Sequence, residues 1–197
     1  MADPREIRNR RLTNEYNELM QINGPIIQIE PLGNEPYERY KITFNIRTII
    51  SPAPSYRNKT VCILIIPPRY PKEEPTITAE TSPYPWHINW FSSGRWCFGG
   101  WNQEESLVSF IHRCARTLQF DPEITNPGSV ANRTALPFWD THKHNRQIIP
   151  SDIQVLPTLD VSGRITIIPR VKPKIVIKST QADKPKINII NRNNDFQ

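Results

Sequence analysis

The sequence predicts an α+β protein: an N-terminal helix, a four-stranded antiparallel meander sheet, an irregular loop region, and C-terminal helices followed by a strand-prone extension. Three observations predict it. An apolar stripe of helical period opens the chain at residues 4–21, and a second returns at residues 104–120. Between them lie four β-rich segments whose connections are too short for parallel crossovers, so they must pair antiparallel. A chain of 197 residues holds one core of about 100–150 residues plus an extension. We divide it into a globular unit, 1–149, and a basic Pro/Ile-rich tail, 150–197.

The elements follow in order. Pro4 suits the first turn of a helix capped by Asp3, and Ile7, Arg11, Leu12, Glu15, Tyr16, Leu19 and Met20 fall near one face. Asn23-Gly24-Pro25 ends it. Ile26–Ile29, Tyr40–Arg47, Thr60–Ile66 and Thr76–Glu80 read as strands, with a turn at Gly33-Asn34 and a loop from Pro52 to Asn58. Residues 83–103 hold four of the five tryptophans and several glycines without a sustained period, so they read as an irregular loop region carrying function. Trp86, Trp90, Trp96 and Trp101 are either packing anchors of that region or a docking surface. Leu107, Phe110, Ile111, Cys114 and Leu118 then share a helix face. Ala131–Trp139 makes another short helix, limited by Pro137. In the tail, residues 164–168, 174–178 and 186–190 alternate like strands, and Val161-Ser162-Gly163 can turn a hairpin.

Composition excludes several classes. Twenty prolines against seven glycines break the chain into extended and turn structure. The longest apolar run, Val61–Ile66, is far too short to cross a bilayer, and no leader pattern opens the chain, so we expect an intracellular, cytoplasmic protein with no membrane partner. Three cysteines with no Cys-x-x-Cys suggest neither a disulfide framework nor a thiolate zinc site. His112, His142 and His144 lack partners at metal spacing, so neither metal nor other cofactor is expected. Of the net charge of +6, four units sit in residues 150–197. Their basic residues alternate with Ile and Val rather than with stacking aromatics, which argues against nucleic acid.

The chemistry concentrates at Cys97, in Gly94-Arg95-Trp96-Cys97-Phe98-Gly99-Gly100. A thiol among loop glycines, with the amide of Asn89 a short span upstream, is an acyl-accepting nucleophile paired with a donor for the oxyanion that acyl transfer creates. Cys62, in an apolar strand, and Cys114, on an apolar helix face, read as core.

These motifs resemble the ubiquitin-conjugating enzyme family, in that family's order. Arg11–Leu19 is similar to its N-terminal helix, and Pro67-Pro68-Arg69-Tyr70-Pro71 with Pro75 to its proline-rich turn. His87-Ile88-Asn89 stands where the family has His-Pro-Asn, and the ten-residue step from His87 to Cys97 matches its spacing. Asn126–Ala135 resembles the segment facing the thioester. The resemblance implies a UBC-like fold whose catalytic domain spans 1–149. Cys97 would take the C-terminal acyl group of a ubiquitin-like protein from an activating enzyme and yield it to an amine or other nucleophile. Asn89 would donate to the oxyanion or brace the loop framing the sulfur, His87 would tie that loop down, and Ser129 would orient the incoming amine, help remove its proton, or cap backbone. Asn126 and Asn132 are supporting residues. Arg5, Arg8, Arg10 and Arg11 would meet an acidic surface of the activating enzyme, or form a solvated helix face. The tail would add to a sheet edge or hold a ligase or target.

The chain departs from the family pattern at Ile88, in a shortened segment after Cys97, and at Lys72, where many members place an apolar ligase-docking residue. These features are more like divergent bacterial relatives found beside activating-enzyme-like and deubiquitinase-like partners, and point to a bacterial antiphage defence pathway. A catalytically silent adaptor or scaffold on the same fold is the competing expectation, and the thiol at position 97 is what separates the two.

Overall fold

A computed structural model describes residues 3–150, 156–159 and 165–166. Helix α1 (Pro4–Ile22) opens where Asp3 Oδ1 accepts the Arg5 N–H at 2.9 Å, with Pro4 in the first turn. Leu12, Leu19 and Ile22 make its buried stripe, together with one carboxylate, Glu15.

The expected four strands are present. Chain order gives β1 (Ile27–Leu32), β2 (Arg39–Phe44), a two-residue pair β3 (Thr48–Ile49) and β4 (Tyr56–Arg57), then β5 (Thr60–Ile65) and β6 (Thr76–Ala79). The main sheet runs β1-β2-β5-β6, antiparallel throughout. Its register aligns Ile29 with Ile42, Ile42 with Cys62, and Cys62 with Ala79, a buried row across all four strands. Strand β1 alternates buried Ile27 and Ile29 with exposed Gln28 and Glu30, so period two alone sets which face meets the helices. Pro31 is accommodated because β1 is an edge strand. The β3–β4 hairpin falls partly within the expected 52–58 loop. Strands of two residues carry too little periodicity to be read from sequence.

Helix α2 (Leu107–Leu118) lays Leu107, Phe110, Ile111, Cys114 and Leu118 on the sheet's inner face. It starts later than the expected residue 104. Ser106 Oγ accepts the Ser109 N–H, while residues 102–105 form a turn closed by Glu105 N–H on the Asn102 carbonyl. One 3₁₀ turn (Arg133–Ala135) leads into α3 (Leu136–His142). Pro137 occupies the first turn of α3 and begins a helix rather than limiting one, since its missing N–H would be unpaired there anyway. Beyond residue 150, β7 (Thr158–Leu159) pairs antiparallel with β8 (Ile165–Thr166) and lies against α1. Half-buried Leu156 packs on the main core. The Val161–Gly163 turn and the segments at 174–178 and 186–190 lie outside the described residues.

Two cores result. The larger fills the space between the sheet and helices α1 and α2. The smaller gathers Ile49, Ile88, Phe120, Ala135, Trp139 and Ile149. Glu15 knits the larger one together: its carboxylate accepts from Arg11 Nε at 2.6 Å, the Tyr70 hydroxyl at 2.7 Å and the Leu107 backbone N–H at 2.7 Å. It thereby ties α1 to the proline-rich turn and to the start of α2. Burial and this carboxylate push the Tyr70 hydroxyl above the usual tyrosine range. No helix among the described residues is long and apolar enough to cross a membrane.

Candidate active site

The site is built on a short antiparallel ribbon. Trp90 pairs with Trp96, and flanking hydrogen bonds run from Cys97 N–H to the Asn89 carbonyl and from Phe91 N–H to the Arg95 carbonyl, both 2.9 Å. Both tryptophans are buried in the main core, where Trp96 meets Phe110 of α2. Of the two readings for the tryptophans, packing holds for these two; Trp86 and Trp101 are half-buried against Phe138 and Tyr70 respectively. With the indoles anchored inward, the ladder turns Cys97 outward. Cys97 is half-buried, whereas Cys62 and Cys114 are wholly buried, and burial pushes both of those thiols well above the usual cysteine range.

The ribbon needs Gly94. Its φ is +84°, and a Cβ there would lie 2.8 Å from the Tyr84 ring and 3.1 Å from the Ala79 carbonyl oxygen. Gly99, at φ +82°, turns the chain just past the sulfur.

Asn89 is 3% exposed and its side chain is fully engaged. Nδ2 donates to the carbonyls of Asn126 at 2.9 Å and Ser129 at 2.8 Å, while Oδ1 accepts the Asn126 N–H at 2.9 Å. An amide has two N–H groups, and both are committed here. These three hydrogen bonds hold the 126–129 segment beside the sulfur. The neighbouring Ile88 carbonyl accepts from the N–H groups of Ala131 and Asn132, extending the seam. Ile88 itself, where the family pattern has proline, is buried in the smaller core. Packing thus supplies the placement that a fixed φ would otherwise give.

The seam brings Ser129 to Cys97, with Oγ 3.7 Å from Sγ. Asn126 uses Oδ1 to accept the Gly128 N–H, shaping the loop from within. Asn132 points its Oδ1 at the Thr134 N–H and caps the 3₁₀ turn. His87 is fully buried behind Asn89: Nδ1 accepts the Asn89 N–H at 2.9 Å, and Nε2 lies 3.3 Å from Thr125 Oγ1. Burial lowers its pKa to about 3, so the ring is neutral at physiological pH. With Nδ1 accepting, the proton sits on Nε2 and is donated to Thr125. Phe120, its ring centroid 4.1 Å from the imidazole, adopts φ +56° at the end of α2.

The helix-one arginines are not brought to this site. Arg8 pairs with Glu38 at 2.6 Å and donates to the Pro67 carbonyl; Arg11 pairs with Glu15 and donates to the Glu105 carbonyl. Arg5 and Arg10 are exposed. Sequence reasoning missed Arg113. From α2 it grips Glu105 through two nitrogens at 2.8 Å and donates to the Phe98 carbonyl at 3.1 Å, anchoring the backbone just after Cys97. Its position on the polar side of α2 gave no signal, because its partners are set by tertiary packing. Among the described residues no group of three or more His, Cys, Asp or Glu could hold a metal ion.

No family model matches the chain, and no curated protein matches it. Among solved structures it is similar to human Ubiquitin-conjugating enzyme E2 G1, with a TM-score of 0.46 and 17% identity over 56% of this chain and 93% of that one.

Proposed function

We propose that this protein is a cysteine-dependent acyltransferase that carries a ubiquitin-like protein as a thioester on Cys97. The observation that carries the reading is one cysteine, Cys97, that reaches the surface in part on a braced loop, with the Ser129 hydroxyl 3.7 Å from its sulfur, while the two other cysteines are buried. In the first step the Cys97 thiolate attacks the carbonyl carbon of an activating enzyme's thioester. A new C–S bond forms, the old one breaks, and the donor thiolate leaves. Exchange of one thioester for another is nearly energy-neutral, so an accessible sulfur suffices. In the second step an amine or other nucleophile attacks the same carbon. The C–S bond breaks, Cys97 leaves as thiolate, and the proton lost by the amine passes to solvent or back to sulfur.

The roles divide accordingly. Ser129 holds its hydroxyl 3.7 Å from the sulfur and orients the incoming nucleophile or steadies the oxyanion. Asn89, Asn126 and His87 are positioning residues that hold the Ser129 segment, and Asn132 fixes its far end. Exposed Arg5 and Arg10 remain available to an acidic surface of the activating enzyme. The partners implied are the modifier, the activating enzyme, and a ligase or target reached through residues 150–197. We assign the chemistry to the cytoplasm because it requires a reduced thiol, and to a bacterial defence-type conjugation pathway on the strength of the Ile88 and trimmed-loop departures.

The test is a trap. Cys97→Ser mixed with the activating enzyme, ATP and modifier should form an oxyester that survives reductant, whereas the wild-type adduct is reductant-labile. If wild type and variant give the same reductant-insensitive pattern, the reading is wrong.

A further inference from the structure

Two exposed arginines stand on the segments that carry the site: Arg95 on the ribbon that bears Cys97, and Arg133 on the segment that follows Ser129. On the ribbon, the hydrogen-bonded pairs Asn89–Cys97 and Phe91–Arg95 bracket the buried Trp90–Trp96 pair. In such a ladder the flanking pairs share the face opposite the central one. Phe91 and Arg95 therefore lie on the outward face with Cys97, two residues or about 7 Å along the strand. Phe91 is 38% exposed, one of three large apolar side chains open to solvent among the described residues, and the Arg95 guanidinium stands 5.9 Å from its ring centroid.

On the segment that meets the sulfur, a groove of about 580 Å³ is lined by Gly128, Ser129, Val130, Arg133 and Leu136. It begins at the residue whose hydroxyl meets the sulfur. Arg133 is exposed. Among the described residues no carboxylate lies within ion-pair distance of Arg95 or Arg133. The acidic residues leading into the groove, Asp121 and Glu123, are both held by Arg116.

We propose that this face docks the acceptor, and that it selects a segment in which carboxylates flank the attacked amine, one meeting Arg95 over the Phe91 ring and the other meeting Arg133. The proposal rests on the transferase reading and names its substrate class: an acidic peptide segment with a central lysine. Charge complementarity delivers the segment, as two guanidinium groups with no carboxylate partner among the described residues attract carboxylates and repel a basic sequence. Attack then forms the C–N bond and breaks the C–S bond, as above, with the amine's proton going to solvent or to the departing thiolate.

The experiment uses short synthetic peptides with one central lysine, flanked two residues away on each side by Glu, Gln or Arg. Discharge of the thioester-charged full chain onto each peptide is normalised to the thioester present. The Glu-flanked peptide should react about tenfold faster than the Arg-flanked one, the scale of two partly exposed charge pairs, and the preference should shrink as salt is added. Arg95→Glu and Arg133→Glu should each reduce the preference, and the double variant should invert it. Fluorescence anisotropy of the same labelled peptides on the uncharged protein should give the same order, and it reads docking without chemistry. Peptides that bind and react alike, or an order unmoved by both charge reversals, would overturn the proposal. If wild type never forms a thioester, the transferase reading fails, and the anisotropy order alone decides the docking surface.

Discussion

At the scale of single residues, the chemistry at the sulfur depends on what each neighbouring side chain is free to do. Asn89 has no spare N–H, so its removal should act through the loop. Asn89→Ala leaves two carbonyls and one N–H of the 126–129 segment without partners, at a cost of about 1–3 kcal/mol. Loading and discharge of Cys97 should slow together, by about tenfold or more. A variant that loads normally and fails only in discharge would show a direct oxyanion role instead. His87 makes a prediction about acid. Its folded pKa is about 3 against an ordinary value near 6.5, so between these limits the unfolded chain takes up a proton that the folded one refuses. Stability should be fully present above about pH 6.5 and fall by about 1.4 kcal/mol for each pH unit below it, through this one group. Urea titrations of wild type and His87→Gln between pH 7 and pH 5 check this. The variant should lose that slope, and an unchanged slope would mean the ring is not held neutral by burial.

At the scale of elements, Glu15 and Arg113 do for helices and turns what Asn89 does for the loop. Glu15→Ala strands the Tyr70 hydroxyl and the Leu107 N–H in the core and frees Arg11, and should cost about 2–4 kcal/mol, read as a lowered urea midpoint. A change under about 0.5 kcal/mol would contradict its place as the clasp between α1, the proline-rich turn and α2. Arg113→Ala removes the anchor on the Phe98 carbonyl but no core side chain. Amide exchange should quicken at residues 98–100 with β2 and β5 unaffected, whereas uniform quickening would mean global destabilisation instead.

At the scale of the whole molecule, the elements most legible in the sequence were those whose period is local. The 4–21 helical stripe, the alternation of β1 and the apolar face of α2 are written in neighbouring residues, and the α+β order followed from short connections. The candidate site was legible as a set: the spacing of His87, Asn89 and Cys97 and the later Asn126–Asn132 segment are features of the linear chain, and the fold brings Asn89 and Cys97 to Ser129. What escaped depends on pairings across long separations. The burial of Glu15 follows from a contact 92 residues away, the direction of the Asn89 amide from carbonyls 37 and 40 residues on, and the grip of Arg113 from loop carbonyls that exist only once the ribbon has formed. The place of Pro137 at the start of α3 is not legible locally, because a proline starts a helix or stops one according to where the turn begins, which its immediate neighbours do not fix. Leu156 packs on the main core, so truncation after residue 150 should lower stability by about 1–2 kcal/mol while the sheet persists. An unchanged urea midpoint would show that this contact contributes nothing.

Acyl transfer through Cys97 is checked most directly by intact-mass spectrometry. Wild-type protein incubated with activating enzyme, ATP and the modifier should gain the mass of one modifier less one water, lose it on treatment with a thiol reductant, and gain nothing when Cys97→Ala takes its place. An adduct that persists in Cys97→Ala, or a wild-type chain that never gains mass while the activating enzyme itself is charged, would contradict the account.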